Sequence, residues 1–262
     1  MRSGKVAAAF AVLLVVSFAV MNAMPSDTLP AALLQEAVLA LVAFAVVGFA
    51  IPDAHKRCTK SVQQRSIVRF ATIALLLVGL VGGAITLLAW LFAGGGTMAG
   101  FASTALPSTA DLMENLLLLL GICLLTGLYE ESFMRVLGIE AFERALDTKR
   151  AILASAALFA LLHVGAPDVS AGQLVLLQAA LKFGQALLFG VILGALYVRT
   201  RRLWPCAFIH AGFDVLYLAP NVLLTGTMPE TYASGAVGDT VLLAVSVLML
   251  SGIVLKIRKE IA

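Results

Sequence analysis

Residues 129–135 read YEESFMR, inside an otherwise apolar run that extends from 112 to 142. About 20 apolar residues suffice to cross a bilayer as a helix. The run is therefore read as a membrane helix carrying two adjacent carboxylates and a guanidinium. Helical spacing puts Glu131 and Arg135 on one face. Glu130 lies about 100° round the helix from Glu131, so Arg135 can neutralise one carboxylate while its neighbour stays available. Ionisable groups are costly in hydrocarbon, and those that occur face a bundle interior, where they pair or act.

The rest of the chain fits that reading. Of 262 residues, 61% are hydrophobic and 13% charged, against roughly 25% charged in an average soluble domain. Apolar runs of spanning character fall at 6–24, 31–52, 67–93, 112–142, 151–165, 173–198, 203–220 and 239–256. They predict an all-α, polytopic membrane protein of eight transmembrane helices, with 1–262 as one membrane domain. Arg2 and Lys5 precede the first run, which resembles a signal peptide but is long enough to span, so it is read as a retained helix.

Basic residues fix the orientation. His55, Lys56, Arg57, Lys60, Arg65 and Arg69 lie between runs two and three. Arg144, Lys149 and Arg150 follow run four; Arg199, Arg201 and Arg202 follow run six; Lys256, Arg258 and Lys259 follow run eight. The intervening connections at 24–30, 94–111, 166–172 and 219–238 contain no Lys or Arg. Positive loops stay cytoplasmic, so eight spans place both termini inside, in a multi-pass protein of the cell membrane. A net charge of +3 is too small to suggest nucleic acid. Cys58, Cys123 and Cys206 lack metal or disulfide spacing. Gly190 and Gly194 form a GxxxG pattern, read as close helix packing.

The charges within the runs are Glu130, Glu131, Arg135, His163, Lys182, His210 and Asp214. His210 and Asp214 are four apart and share a face. Glu130 and His163 lie 17 and 16 residues either side of Asp147, near the turn between runs four and five. In an antiparallel pair both then lie roughly 25 Å from that turn, whereas His210 lies only about 12 Å beyond Arg202. A carboxylate beside an imidazole, away from bulk water, is a general-base arrangement suited to hydrolysis. Ser132 lacks the elbow of a serine nucleophile. Lys182 reads as structural, a counter-ion or a snorkelling chain. Two His and two Glu could ligate zinc, but without an HExxH spacing no metal or other cofactor is assigned.

In order, EESFMR fits EExxxR, FALLH at 159–163 fits FxxxH, and HAGFD at 210–214 resembles HxxxN. The stretch GVILGALYVRTRRLWPCAFIHAGFD at 190–214 carries Tyr197, Thr200, Leu203, Trp204 and Pro205 in a matching block. Over roughly 112–220 the chain resembles the CAAX protease and bacteriocin-processing (CPBP) family, also called type II CAAX prenyl endopeptidases. The resemblance implies an eight-helix membrane endopeptidase with a site opening to the cytoplasm and a peptide or membrane-protein substrate. It implies that Glu130 and His163 activate water, that Glu131 and Arg135 complete the motif, and that His210 and residue 214 stabilise the oxyanion. Asp214 departs from the family's Asn: an ionised carboxylate cannot donate a hydrogen bond, so an Asp–His pair with His210 as the cationic donor is expected instead. The rival is a non-catalytic membrane protein, a scaffold or a transporter relaying protons through Glu130, Lys182 and His210.

Overall fold

Backbone N–H and C=O groups cannot be left unpaired in hydrocarbon, so a chain this apolar satisfies them within helices. The computed structural model describes residues 2–52, 62–92, 106–164, 170, 172–229 and 233–261. Their helices are α1 (Arg2–Ala23), α2 (Leu29–Ala50), α3 (Val62–Phe92), α4 (Thr109–Phe142), α5 (Thr148–Val164), α6 (Gln173–Thr200), α7 (Leu203–Thr225) and α8 (Val237–Ile261). The basic residues at 55–60 and Cys58 lie outside the described residues, as does most of the 94–111 and 166–172 connections.

Seven of these eight helices are long and apolar enough to cross a membrane. The exception is α5, with 17 residues. At about 25 Å it falls short of a hydrocarbon core of about 30 Å. The expected eight spans are thus eight helices of which one, by length, does not cross alone. Large apolar side chains face outward, among them Phe18, Leu41, Phe49 and Leu248, each more than 70% exposed, as a lipid-facing surface requires.

The bundle is organised around α7, which packs on α4 and α3, while α5 pairs with α6, α2 with α4, and α6 with α8. Glycines set the closest approaches. A Cβ on Gly127 of α4 would stand 2.6 Å from the Ala207 carbonyl oxygen of α7. Cβ atoms on Gly190 and Gly194 would stand 2.9 Å from Ala156 Cβ and Ile152 Cγ2 of α5. The GxxxG pattern therefore does pack helices. Cys123 and Cys206 are buried and free.

Helix α4 starts on a capping box, Ser108 Oγ accepting from Asp111 N and Asp111 Oδ2 accepting from Ser108 N. It is regular to Glu131, passes through a π-helical segment, Ser132–Ile139, and closes with Glu140–Phe142. At 34 residues it is about 50 Å long and outreaches the hydrocarbon core. Its far end is clamped to the end of α6. Tyr197 Oη donates to Glu140 Oε1 at 2.9 Å, and Arg201 donates two bonds to Glu143, at 2.8 and 2.7 Å. Arg201 adopts the left-handed conformation (φ 50°) that ends α6. Burial alone pushes the Glu143 carboxyl up. Hydrogen bonds and charge from Arg201, with the Thr148 hydroxyl, outweigh it and hold the carboxyl below its ordinary range.

Candidate active site

All eight residues of the π segment are buried. π-Helical turns inside α-helices recur at functional sites because they break the regular side-chain register. Ser155 of α5 donates to the Met134 carbonyl at 2.6 Å, which ties α5 to the irregular stretch.

Glu131 and Arg135 pair as their spacing predicts: Nε lies 3.0 Å from Oε2, both side chains wholly buried. The contact is an ion pair rather than a well-aligned hydrogen bond, since the guanidinium nitrogens have no hydrogen-bond partner among the described residues. The Arg135 cation also sits 4.6 Å from the centroid of Phe159, a cation–π contact that strengthens when desolvated. The other Glu131 oxygen lies 2.8 Å from His210 Nδ1. The Arg135 charge thus reaches His210 through one carboxylate, from α4 to α7.

Glu130 turns away from that pair. Its Oε1 is 3.8 Å from His163 Nε2 and its Oε2 is 3.5 Å from His210 Nε2. The gap expected between His210 and the other two residues is closed: the close α4–α7 approach at Gly127 and Ala207 brings His210 alongside both glutamates. Asp214 Oδ2 is 3.4 Å from the same His210 Nε2. The predicted Asp–His contact is present, but Glu131 is the nearer partner of His210.

The partners fix the histidine tautomers. His163 Nδ1 lies 2.9 Å from the Phe159 carbonyl; a carbonyl only accepts, so Nδ1 carries the hydrogen. His210 Nδ1 faces the Arg135-paired carboxylate of Glu131 and donates likewise. A neutral His163 then presents an Nε2 lone pair towards Glu130, whereas His210 Nε2 faces the carboxylates of Glu130 and Asp214 and is placed to donate as well. Aromatic rings hold them there. The Phe159 ring lies 4.1 Å from that of His163, and Phe189 meets His210 edge-on at 4.8 Å.

Next to these groups lies a cavity of about 50 Å³ lined by Phe159, His163, Lys182, Gln185, Ala186, Phe189, His210, Phe213 and Asp214. It is large enough for one or two water-sized groups. Lys182 is thus one of the residues that line the cavity. Ser132 is buried, and none of the carboxylate–imidazole contacts involves it. Among the described residues no three His, Cys, Asp or Glu side chains stand in a metal-binding arrangement.

Glu36 of α2 was not anticipated. It hydrogen-bonds Thr126 of α4 and lies within electrostatic reach of Asp214 and His210, and its buried Oε2 has no hydrogen-bond partner among the described residues. The signal was available: a carboxylate well inside the apolar run 31–52 is the same anomaly that marks Glu130.

Every motif side chain of this cluster comes from one stretch of sequence. No curated protein matches the chain. Residues 112–216, which contain α4 from its first turn, α5, α6 and α7 as far as Leu216, match the family model described as Type II CAAX prenyl endopeptidase Rce1-like; the chain carries a Rce1-like domain of the type II CAAX prenyl endopeptidase (CPBP) family.

Proposed function

We propose that the chain is an intramembrane endopeptidase in which Glu130 and His163 activate a water for attack on a peptide carbonyl. The observation that carries the reading is the placement of one glutamate between the Nε2 atoms of two histidines on different helices. At 3.8 Å, Glu130 Oε1 and His163 Nε2 are too far apart for a direct hydrogen bond, and one water bonded to both spans such a gap.

In this reading the carboxylate of Glu130 takes the water proton as the new C–O bond forms. The carbonyl electron pair moves to its oxygen. When the C–N bond breaks, Glu130 returns the proton to the leaving amine, giving a carboxylic acid and an amine. Arg135 and Glu131 hold His210 at the site, and His210 faces the developing oxyanion. Family membership supports peptide substrates, CAAX-type or exported peptides. The apolar surface supports lateral entry from the bilayer of the cell membrane. The basic connections support eight membrane passes with both termini cytoplasmic, the site opening on that side.

No metal is assigned. Chelator treatment is expected to leave cleavage unchanged, and inhibition reversed by zinc would overturn that assignment.

The test is a cell-based cleavage screen of peptide and prenylated-peptide reporters, followed by the purified protein in proteoliposomes. Glu130→Gln and His163→Ala are each expected to lower cleavage by at least about 10²-fold, the usual worth of a general base. Equal cleavage by wild type and Glu130→Gln would leave a scaffold or transporter as the better account.

A further inference from the structure

A hydrolase that makes an oxyanion needs a hydrogen-bond donor where that charge develops. Asp214 cannot be that donor as a carboxylate. Arg135 is paired with Glu131 and does not line the cavity. His210 meets carboxylates at both ring nitrogens, Glu131 at Nδ1 and Glu130 and Asp214 at Nε2, so it is at most one donor shared among them. The residues lining the cavity include one Lys or Arg cation, Lys182.

The helix register puts Lys182 at the right depth. Ala156 faces Gly190 and Ile152 faces Gly194 across the α5–α6 contact. Continuing that antiparallel register sets His163 opposite Lys182 and Phe183. From Lys182 to Thr200, the end of α6, is about 27 Å, too deep for the ammonium to snorkel to that end of the helix. Its Nζ is instead held at 3.2 Å by Gln185 Oε1. Gln185 cannot turn away, because its Nε2 donates to Tyr217 Oη at 2.8 Å. Asp214 and Glu130 both lie within electrostatic reach of the ammonium.

We infer that Lys182 is a catalytic residue of this chain: its ammonium, oriented by Gln185 and Asp214, donates the hydrogen bond that stabilises the tetrahedral oxyanion. The Asp214–Lys182 pair then does the work of one neutral amide, with the acceptor on α7 and the donor on α6. The carboxylate at 214 is thereby a partner for the donor rather than a defect in the site. The inference rests on the endopeptidase reading and assigns the one role that reading leaves half filled.

The experiment uses the full chain in proteoliposomes with the reporter peptide most rapidly cleaved in the screen. Lys182→Met is expected to lower kcat by about 10²–10³-fold, the usual loss of one oxyanion donor, with KM nearly unchanged. Lys182→Arg is expected to keep more activity than Lys182→Met. Two charge-balanced double variants separate donation from simple neutralisation. Lys182→Met with Asp214→Asn regains a donor amide and is expected to recover at least tenfold over Lys182→Met alone. Lys182→Met with Asp214→Leu is equally neutral, has no donor, and is expected to stay inactive. Equal recovery by both doubles, or full kcat in Lys182→Met, overturns the inference while leaving Glu130-dependent cleavage intact. Cleavage indifferent to Glu130→Gln instead overturns the endopeptidase reading itself. Thermal melting of each variant distinguishes a lost donor from a lost fold.

Discussion

Glu131 and His210, 79 residues apart in sequence, meet at 2.8 Å with both side chains buried. The contact is stable only because Arg135 answers the same carboxylate on its other oxygen. Removing one partner of a buried pair strands a charge and costs about 3–5 kcal/mol, whereas replacing both by apolar groups is often neutral. Arg135→Met is therefore expected to lower the melting temperature steeply. Glu131→Leu with Arg135→Met is expected to recover most of that stability and none of the cleavage, because His210 loses the acceptor that holds its ring in place. Recovery of activity in the double variant would mean that the pair serves only the fold.

The α4–α7 contact that lets this pair meet depends on a missing side chain. A Cβ at Gly127 would meet a backbone carbonyl at 2.6 Å, while one at Gly48 of α2 would meet nothing within 4 Å. Overpacking a close contact costs about 1–3 kcal/mol. Gly127→Ala is expected to destabilise by that amount and to slow cleavage by parting Glu131 from His210. Gly48→Ala is expected to be neutral or slightly stabilising, since alanine is the better helix former by about 1 kcal/mol. Thermal melts of the two variants in one detergent check the difference.

The helices and the cluster were legible in sequence for different reasons. Apolar run length is a one-dimensional signal, so all eight helices could be read directly, and the charges at 130, 131, 135, 163, 210 and 214 stood out against the oil. Their pairing was legible only where it was local, as in Glu131–Arg135 and His210–Asp214. The height of His210 was not, because it depends on how closely α7 approaches α4, and that depends on Gly127 against Ala207. The π segment was illegible because 132–139 has the composition of an ordinary buried helix. Lys182 was visible, but its neighbours Gln185, Tyr217 and Asp214 are tertiary facts.

At the far end of α4 the ion pair of Glu143 with Arg201 predicts an acid-sensitive clamp. The folded Glu143 carboxyl lies below its ordinary range, so its contribution is present above the unfolded value, about 4.3. That contribution is lost as pH falls through the depressed folded value. Glu143→Gln is expected to lower the melting temperature at pH 7 by an amount that shrinks towards zero at pH 3. Both side chains are partly exposed, at 32% and 19%, so the effect is a modest one, weakened further by salt. A difference independent of pH would assign the clamp to packing instead.

Glu130 itself separates stability from function. It stands half-buried beside Glu131 and near Asp214 and Glu36, three further carboxylates, with one oxygen lacking a hydrogen bond among the described residues. Like charges gathered in a poorly solvated site oppose folding and persist where the chemistry requires them. Glu130→Gln removes the repulsion and keeps the shape, so it is expected to melt at the wild-type temperature or above while cleavage falls. Glu36→Gln relieves the same crowding without touching either Nε2 of the histidines, and keeps an oxygen for Thr126. It is expected to stabilise similarly and to retain most of the cleavage. If Glu36→Gln instead silences the protein as fully as Glu130→Gln, the proton travels by way of α2, and the base is a carboxylate pair rather than Glu130 alone.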